Sequence, residues 1–126
     1  MIKLLIVDDE KGITDALKSF FEHRGFSAKA VSSGEEALEV IKKDKPGIVF
    51  LDITMRGMSG LETLKHIKDT DASIKVIMLT VHNEEEIIEQ AKKLGADEYI
   101  TKPFRIDYLE EVVTKKVQEL LKEDHE

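Results

Sequence analysis

The fold is indicated first by residues 2–10, which read Ile-Lys-Leu-Leu-Ile-Val-Asp-Asp-Glu. Six mostly apolar residues predict a β-strand that is buried on both faces, as in a parallel sheet covered by helices. Three acids follow this strand directly, and helical spacing then begins at Ile13, with Leu17 and Phe21 four and eight residues later. The chain therefore starts with a strand, an acidic turn and a helix.

This alternation continues along the chain and predicts an α/β domain. The pattern predicts strands over residues 2–7, 27–31, 48–51, 74–79 and 98–101, each followed by a segment of helical spacing. The second and fifth strands are more polar than the other three, which suits the two edges of a sheet. Edges at these strands are what a flavodoxin-like, doubly wound (βα)5 fold requires, with five parallel strands in the order 2-1-3-4-5.

Helix ends are also marked in the sequence. Ser33 and Ser59 each precede a predicted helix and have a glutamate three residues later, which is the spacing of a capping box. Gly25 and Gly95 follow the first and fourth predicted helices, where a residue in the left-handed region is favoured. These signals agree with the strand and helix pattern.

Composition limits the class of protein. A chain of 126 residues fits one domain, so we expect a single domain over residues 1–126, and with the first strand starting at Ile2 we expect nothing before it. No apolar run approaches the roughly 20 residues that span a bilayer, and the acidic start is unlike a signal peptide. Because cysteine is absent, disulfides are excluded and a cytoplasmic location is the expectation.

The charge of the chain limits its partners. The formal net charge is −7, from 26 acidic and 19 basic residues, so direct binding of nucleic acid is not expected. A membrane partner is not expected either. Proteins and divalent cations are the more natural partners of such an acidic chain.

Polar side chains stand at the end of four predicted strands. They are Asp8, Asp9 and Glu10 after the first strand, Asp52 after the third, Thr80 after the fourth and Lys102 after the fifth. Parallel strands all end at one edge of the sheet, and open α/β sheets bind ligands at this edge, near the point where the strand order reverses. We therefore expect the carboxylates, the hydroxyl and the amine to meet in one cleft.

Each of these residues alone has a simpler interpretation. Asp8 or Asp9 could cap the first helix, Asp52 could be a turn residue, Thr80 could belong to a loop, and Lys102 could be a solvated charge. Their coincidence at four strand ends favours a functional site.

The residue types indicate the chemistry of the site. Clustered carboxylates repel one another unless a cation is present, and a purely oxygen ligand set favours Mg²⁺. A carboxylate can also attack phosphorus and form an aspartyl phosphate. Such a reaction depends on positioning and charge neutralisation, which Mg²⁺ and Lys102 would supply, with a hydrogen bond from Thr80.

At these residues the sequence resembles the CheY-like receiver domains of two-component response regulators, over essentially the whole chain. The motifs are Leu-Ile-Val-Asp-Asp-Glu (5–10), Leu-Asp-Ile-Thr-Met (51–55) with Gly60, Met-Leu-Thr (78–80) and Gly-Ala-Asp-Glu-Tyr-Ile-Thr-Lys-Pro-Phe (95–104). One such motif alone is weak evidence. All four in this order are highly specific.

The resemblance implies a role for each site residue. Asp52 is implied as the phosphoacceptor, which takes a phosphoryl group from a sensor histidine kinase. Asp9, Asp52 and the backbone carbonyl of Thr54 would bind Mg²⁺ directly, and Asp8 would act largely through water. Lys102 would contact the phosphate, and the peptide bond that joins it to Pro103 would be cis.

The resemblance also implies a switch and its output. Thr80 and Tyr99 would be the switch pair, with the hydroxyl moving to the phosphate and the ring turning inward. The readout would be a population shift on the surface of helix four, strand five and helix five. This surface would control an output protein or an effector domain outside this chain, and a phosphorylation-dependent dimer is a further possibility. For Tyr99 the simpler interpretation is an ordinary half-buried aromatic on an edge strand.

Four positions depart from the usual pattern of the family. Arg56 replaces a proline, Val81 replaces a small residue after Thr80, Arg105 replaces an aspartate that caps the last helix, and Val112 replaces an arginine of many winged-helix regulators. The last change puts the charge-paired dimer of those regulators in doubt. The first two have simpler interpretations as a solvated side chain and as ordinary packing.

Dephosphorylation is expected to be tuned beside the phosphoacceptor. Thr54 and His82 occupy the two positions that tune autodephosphorylation in the family, and Val81 precedes His82. Our hypothesis is that Val81 and His82 slow the approach of water and lengthen the phosphorylated lifetime.

Three alternatives remain. A pseudo-receiver would bind partners without phosphorylation, but a degenerate site usually lacks one of these charges. A flavodoxin-type cofactor protein would need a phosphate loop where this chain has three acids, and a hydrolase of the aspartyl-phosphate type would need an aspartate in place of Thr54. The kinase, the signal, the output and the extent of the natural protein are not indicated by the sequence.

Overall fold

The computed structural model describes residues 2–81 and 85–123. Its strands are β1 (Lys3–Val7), β2 (Ser27–Val31), β3 (Ile48–Asp52), β4 (Lys75–Thr80) and β5 (Glu98–Thr101). Its first four helices are α1 (Lys11–Glu22), α2 (Gly34–Lys43), α3 (Gly60–Thr70) and α4 (Glu85–Lys93). The last helical region, α5, is α-helical over Ile106–Tyr108, π-helical over Leu109–Val113 and α-helical again over Thr114–Glu123.

The five strands form one parallel sheet in the order β2-β1-β3-β4-β5. The predicted flavodoxin-like order is therefore confirmed, with β2 and β5 at the edges. The bounds of β2 and β5 are as predicted, while β1 and β4 begin one residue later and β3 and β4 end one residue later. Consequently Asp52 and Thr80 are the last residues of their strands, and both are buried.

The core consists of two apolar layers, one on each face of the sheet. Leu17 and Phe21 of α1 pack with Val113 and Val117 of α5 on one face. The apolar sides of α2, α3 and α4 cover the other face. Every residue of β3 is buried, as expected for a central strand with helices on both sides.

The predicted helix ends are confirmed. The hydroxyl oxygens of Ser33 and Ser59 accept hydrogen bonds from the backbone N–H groups three residues later, at 3.1 and 3.2 Å. Gly25 and Gly95 have φ angles of +88° and +103°, in the region that favours glycine. Local sequence therefore determines where four of these helices start or stop.

The last helical region differs from a regular α-helix. A π-helical turn over Leu109–Val113 was not predicted, since no residue pattern in the sequence marks it. Val112 is 37% exposed, because the buried row of this helical region runs through Leu109, Val113 and Val117 and leaves Val112 beside it. Among the described residues, no helix is long and apolar enough to cross a bilayer.

Candidate phosphorylation site

Four strand ends bring the predicted site residues to one edge of the sheet. Asp8 directly follows β1, Asp52 ends β3, Thr80 ends β4 and Lys102 directly follows β5. The register pairs Asp52 with Leu79, the neighbour of Thr80, and the backbone N–H of Lys102 donates to the carbonyl of Thr80 at 2.7 Å. Parallel strands therefore gather these residues, as the sequence predicts.

Asp8, Asp9 and Asp52 form a compact acidic cluster. Each offers one carboxylate oxygen, and these three oxygens lie within 4.8 Å of one another. Asp8 and Asp52 are buried, whereas Asp9 is exposed. The Oδ2 atom of Asp8 is buried and is in close ionic contact with the ammonium group of Lys102. A buried carboxylate oxygen beside two further carboxylates fits a hard divalent cation such as Mg²⁺.

Lys102 provides positive charge to the acidic cluster. Its Nζ atom lies 2.6 Å from Asp8 Oδ2, 3.4 Å from Asp52 Oδ2 and 3.8 Å from Glu10 Oε1. Burial opposes its charge, but the contact with Asp8 and the charges of Asp52 and Glu10 outweigh burial and raise the pKa of Lys102. The side chain therefore remains an ammonium group near neutral pH.

The environment of Asp52 disfavours its charged form. Burial and then the charge of Asp8 raise the pKa of Asp52 to about 7, although Lys102 and the backbone N–H of Thr54 act in the opposite direction. The Thr54 N–H donates to Asp52 Oδ1 at 3.2 Å. Because a bound cation favours the ionised form, metal binding and ionisation of Asp52 are coupled.

The loop after Asp52 is closely tied to the acids. The backbone N–H of Arg56 donates to Asp9 Oδ2 at 3.3 Å, and the N–H of Gly60 donates to the carbonyl of Ile53 at 3.0 Å. A Cβ atom at Gly60 would lie 2.1 Å from the carbonyl oxygen of Asp52, so this position requires glycine. The hydrogen bond from the Arg56 N–H to Asp9 was not predicted from the sequence. The sequence indicates only that residue 56 is not proline and therefore has an N–H that can donate.

The simpler interpretation of the first acids is partly correct. Asp8 Oδ1 accepts the backbone N–H of Glu10 at 2.9 Å, so Asp8 stabilises the turn before α1 as well as belonging to the site. The residue that precedes α1 is Glu10, and its own side chain makes no capping hydrogen bond. Arg105, which precedes α5, makes none either, which confirms the expected weak cap. The peptide bond between Lys102 and Pro103 is cis, as predicted.

Tyr99 lies apart from the acids, on edge strand β5. Its side chain is 37% exposed, and Lys92 Nζ and Lys116 Nζ lie 5.7 and 6.0 Å from the centre of its ring. A pocket between α4 and β5 lies beside this tyrosine and is also lined by Met78 and Ile88. The ring therefore has both a solvent-facing position and an apolar space next to it.

The residues expected to tune the site are placed in part. Thr54 and Val81 are both exposed, two residues after Asp52 and one residue after Thr80. His82 lies outside the described residues, so its predicted position beside the site stays a prediction. The other predicted site residues are all at the carboxyl edge or, for Tyr99, on β5.

Comparison with known proteins identifies the class of this domain. A family model described as "Response regulator receiver domain" matches residues 4–114. The chain belongs to this family.

Particular relatives agree with this assignment. The chain is 39% identical over 113 residues to sporulation initiation phosphotransferase F of Bacillus subtilis, which covers 90% of this chain and 91% of that protein. It is 41% identical over 118 residues to the chemotaxis protein CheY of Listeria monocytogenes, covering 91% and 98%. Response regulator SaeR of Staphylococcus epidermidis is 42% identical over 104 residues, which are 82% of this chain but 45% of that protein. The chain thus spans nearly all of some relatives and less than half of others.

Solved structures have the same fold. A two-component response regulator from Clostridium difficile superposes with a TM-score of 0.88 at 29% identity, covering 97% of both chains. The receiver domain of NtrX from Brucella abortus superposes with a TM-score of 0.83 at 32% identity, covering 91% of this chain and 98% of that one.

Proposed function

We propose that this chain is a phosphorylation-dependent switch in which Asp52 accepts a phosphoryl group from a sensor histidine kinase. One observation carries the proposal: the Asp52 carboxylate clusters with the carboxylates of Asp8 and Asp9, and the ammonium group of Lys102 lies 3.4 Å from it. We include residues 1–126 in a single receiver domain. We place the protein in the cytoplasm, where kinase domains and their phosphoryl donors are found.

The proposed reaction is a direct phosphoryl transfer. A carboxylate oxygen of Asp52 attacks the phosphorus of a phosphohistidine, a P–O bond forms and the P–N bond breaks, with the electron pair returning to the imidazole nitrogen. The ionised form of Asp52 is the nucleophile. Lys102 remains charged and contacts the transferred group, while Thr80 donates a hydrogen bond to it. The protein promotes its own phosphorylation and dephosphorylation but is not an enzyme that acts on other substrates.

The proposed cofactor is Mg²⁺. Asp8, Asp9, Asp52 and the backbone carbonyl of Thr54 would hold it, and the clustering of the three carboxylates, with oxygens within 4.8 Å of one another, supports this assignment. When bound, the ion neutralises charge between the acids and the phosphoryl group. In the metal-free protein, the ammonium group of Lys102 lies 2.6 Å from Asp8 and neutralises part of the negative charge that the ion would otherwise balance.

The proposed output surface consists of α4, β5 and α5. Movement of the Thr80 hydroxyl toward the phosphate would be accompanied by inward rotation of Tyr99, whose ring stands beside the apolar pocket at α4. The partner is an output protein or an effector domain outside these residues, and a phosphorylation-dependent dimer is compatible with the same surface. With a net charge of −7, we do not propose direct contact with nucleic acid.

Intact-mass analysis tests the proposal. The protein is incubated with a small-molecule phosphodonor, with and without Mg²⁺, and we expect a Mg²⁺-dependent gain of one phosphoryl group. Asp52→Asn should abolish the gain, and Asp69→Asn, a change of the same type on the exposed side of α3, should retain it. No gain in the wild-type protein would favour the pseudo-receiver alternative, and a gain in Asp52→Asn would contradict the choice of acceptor.

A further inference from the structure

The hydrogen bond between the Arg56 backbone and Asp9 is specific to a chain without proline at this position. The Arg56 N–H donates to Asp9 Oδ2 at 3.3 Å. A proline at position 56 would have no N–H and could not form this bond. The departure noted in the sequence therefore adds a donor to the acidic cluster.

The donor is held in place by the loop on both sides. Thr54 N–H is bonded to Asp52 Oδ1, and Gly60 N–H is bonded to the carbonyl of Ile53. Gly57, the next residue after Arg56, has a φ angle of +75°, which fixes a turn directly behind the donor. The Arg56 N–H is thus positioned relative to β3 by the backbone itself.

Asp9 is the acid that needs such a partner. Asp8 and Asp52 are buried and lie against Lys102, whereas Asp9 is exposed. An exposed carboxylate loses rotational freedom when it binds a cation, and a fixed donor reduces that loss beforehand. Hydrogen bonds of this kind to ligating carboxylates commonly raise metal affinity.

The arrangement of the three acids indicates that the Arg56 hydrogen bond favours cation binding. The Arg56 bond is present while the three acids already offer oxygens within 4.8 Å of one another. A carboxylate that binds a cation through one oxygen leaves its other oxygen for a donor. We infer that the Arg56 backbone N–H is a positioning group that orients Asp9 for a divalent cation. This inference rests on the magnesium site of the proposed function.

The wild-type protein and two variants separate the effect of the backbone N–H from the effect of the side-chain charge. Arg56→Gln removes the charge and keeps the N–H, and Arg56→Pro removes both. Arg56 is exposed, so its replacement by proline disturbs no buried side-chain packing and the variant should fold. Isothermal titration with Mg²⁺ at fixed ionic strength should show binding about tenfold weaker in Arg56→Pro than in Arg56→Gln. Equal affinities, or tighter binding by Arg56→Pro, would overturn the inference.

The same comparison in proteins that carry Asp9→Ala tests whether the effect of residue 56 on Mg²⁺ affinity depends on Asp9. In Asp9→Ala proteins the difference between Gln and Pro at position 56 should disappear, because the acceptor is absent. A difference that persists would overturn the role of Asp9. In the metal-free protein, exchange of the Arg56 amide hydrogen should also be faster in Asp9→Ala than in wild type, and equal exchange rates would count against the bond. If the wild-type protein binds no Mg²⁺, the proposed metal site is wrong as well. If the wild-type protein binds Mg²⁺ but Arg56→Gln and Arg56→Pro have equal affinities, only this inference is wrong.

Discussion

Lys102 lies closer to Asp8 than to the proposed phosphoacceptor. Its Nζ atom is 2.6 Å from Asp8 Oδ2 and 3.4 Å from Asp52 Oδ2, and the side chain is 9% exposed. In the absence of a cation, this amine is therefore the main neutralising charge for two buried acids. The same group that serves the proposed chemistry also stabilises the fold.

Removal of this amine should destabilise the metal-free protein. Lys102→Met keeps most of the apolar stem but leaves Asp8 and Asp52 without their cation, and removing one partner of a buried ion pair costs about 3 kcal/mol. The free energy of unfolding is measured by urea denaturation near neutral pH with a chelator present. Lys42→Met is the control, because the Lys42–Glu39 pair is exposed and should change stability by less than about 0.5 kcal/mol. Equal losses in the two variants would contradict the structural role of Lys102.

Asp52→Asn should stabilise the metal-free protein in a pH-dependent way. The folded-state pKa of Asp52, about 7, exceeds its ordinary value of 3.8, so the folded protein retains this proton more strongly than the unfolded chain. The contribution of Asp52 to the free energy of unfolding is therefore fully present below about pH 4, and this contribution is lost as the pH rises toward 7. Asparagine cannot ionise, so the variant should be more stable by roughly 1–2 kcal/mol at about pH 8, a figure reduced from the full shift because the site is partly open to solvent.

Thermal or urea unfolding across this pH range measures the difference. The gain from Asp52→Asn should shrink as the pH falls from about 8 to about 4. Asp69→Asn, on the exposed side of α3, should show no comparable trend. A gain of the same size at every pH would mean that ionisation of Asp52 is not the cause.

Gly60 should be intolerant of a side chain. A Cβ atom there would lie 2.1 Å from the carbonyl oxygen of Asp52 and 2.7 Å from the Cα of Ile53, and both are backbone atoms. Gly60→Ala should therefore cost about 1–3 kcal/mol of stability and slow phosphorylation, because the backbone of Asp52 must shift. Gly12→Ala is the matched control, since its Cβ meets nothing within 4 Å and alanine favours a helix by about 0.5–1 kcal/mol. Urea denaturation and intact-mass kinetics distinguish the two variants.

The sequence was sufficient to predict the sheet order and the meeting of the site residues. Apolar and polar strands could be distinguished because burial on both faces confines polar residues to the ends of β1, β3 and β4. Once the order was assigned, the common direction of the strands brought Asp8, Asp52 and Lys102 together. These inferences need only the pattern of side chains, which a sequence states directly.

Contacts made by the backbone or by distant partners could not be predicted in the same way. The Arg56 donor depends on loop geometry, and the π-helical turn depends on how α5 packs. Lys68 is another example: its Nζ donates to the carbonyl of Ile74 at 2.7 Å and lies 2.8 Å from Asp97 Oδ2, joining α3 to the start of β5. No local spacing connects residues 68 and 97, so only the folded chain shows this pair.

Val81→Ala should shorten the phosphorylated lifetime. Val81 follows the last residue of β4, at the carboxyl edge of the sheet, and is 48% exposed. We expect its branched side chain to restrict the approach of water to a phosphoryl group on Asp52. Replacement by alanine should accelerate phosphoryl loss roughly two- to fivefold, which corresponds to about 0.4–1 kcal/mol in the barrier. Intact-mass analysis over time, after removal of the phosphodonor, measures the rate. Val112→Ala alters a similarly exposed valine on α5 and should leave the rate unchanged. An unchanged or longer lifetime in Val81→Ala would show that this side chain does not restrict water.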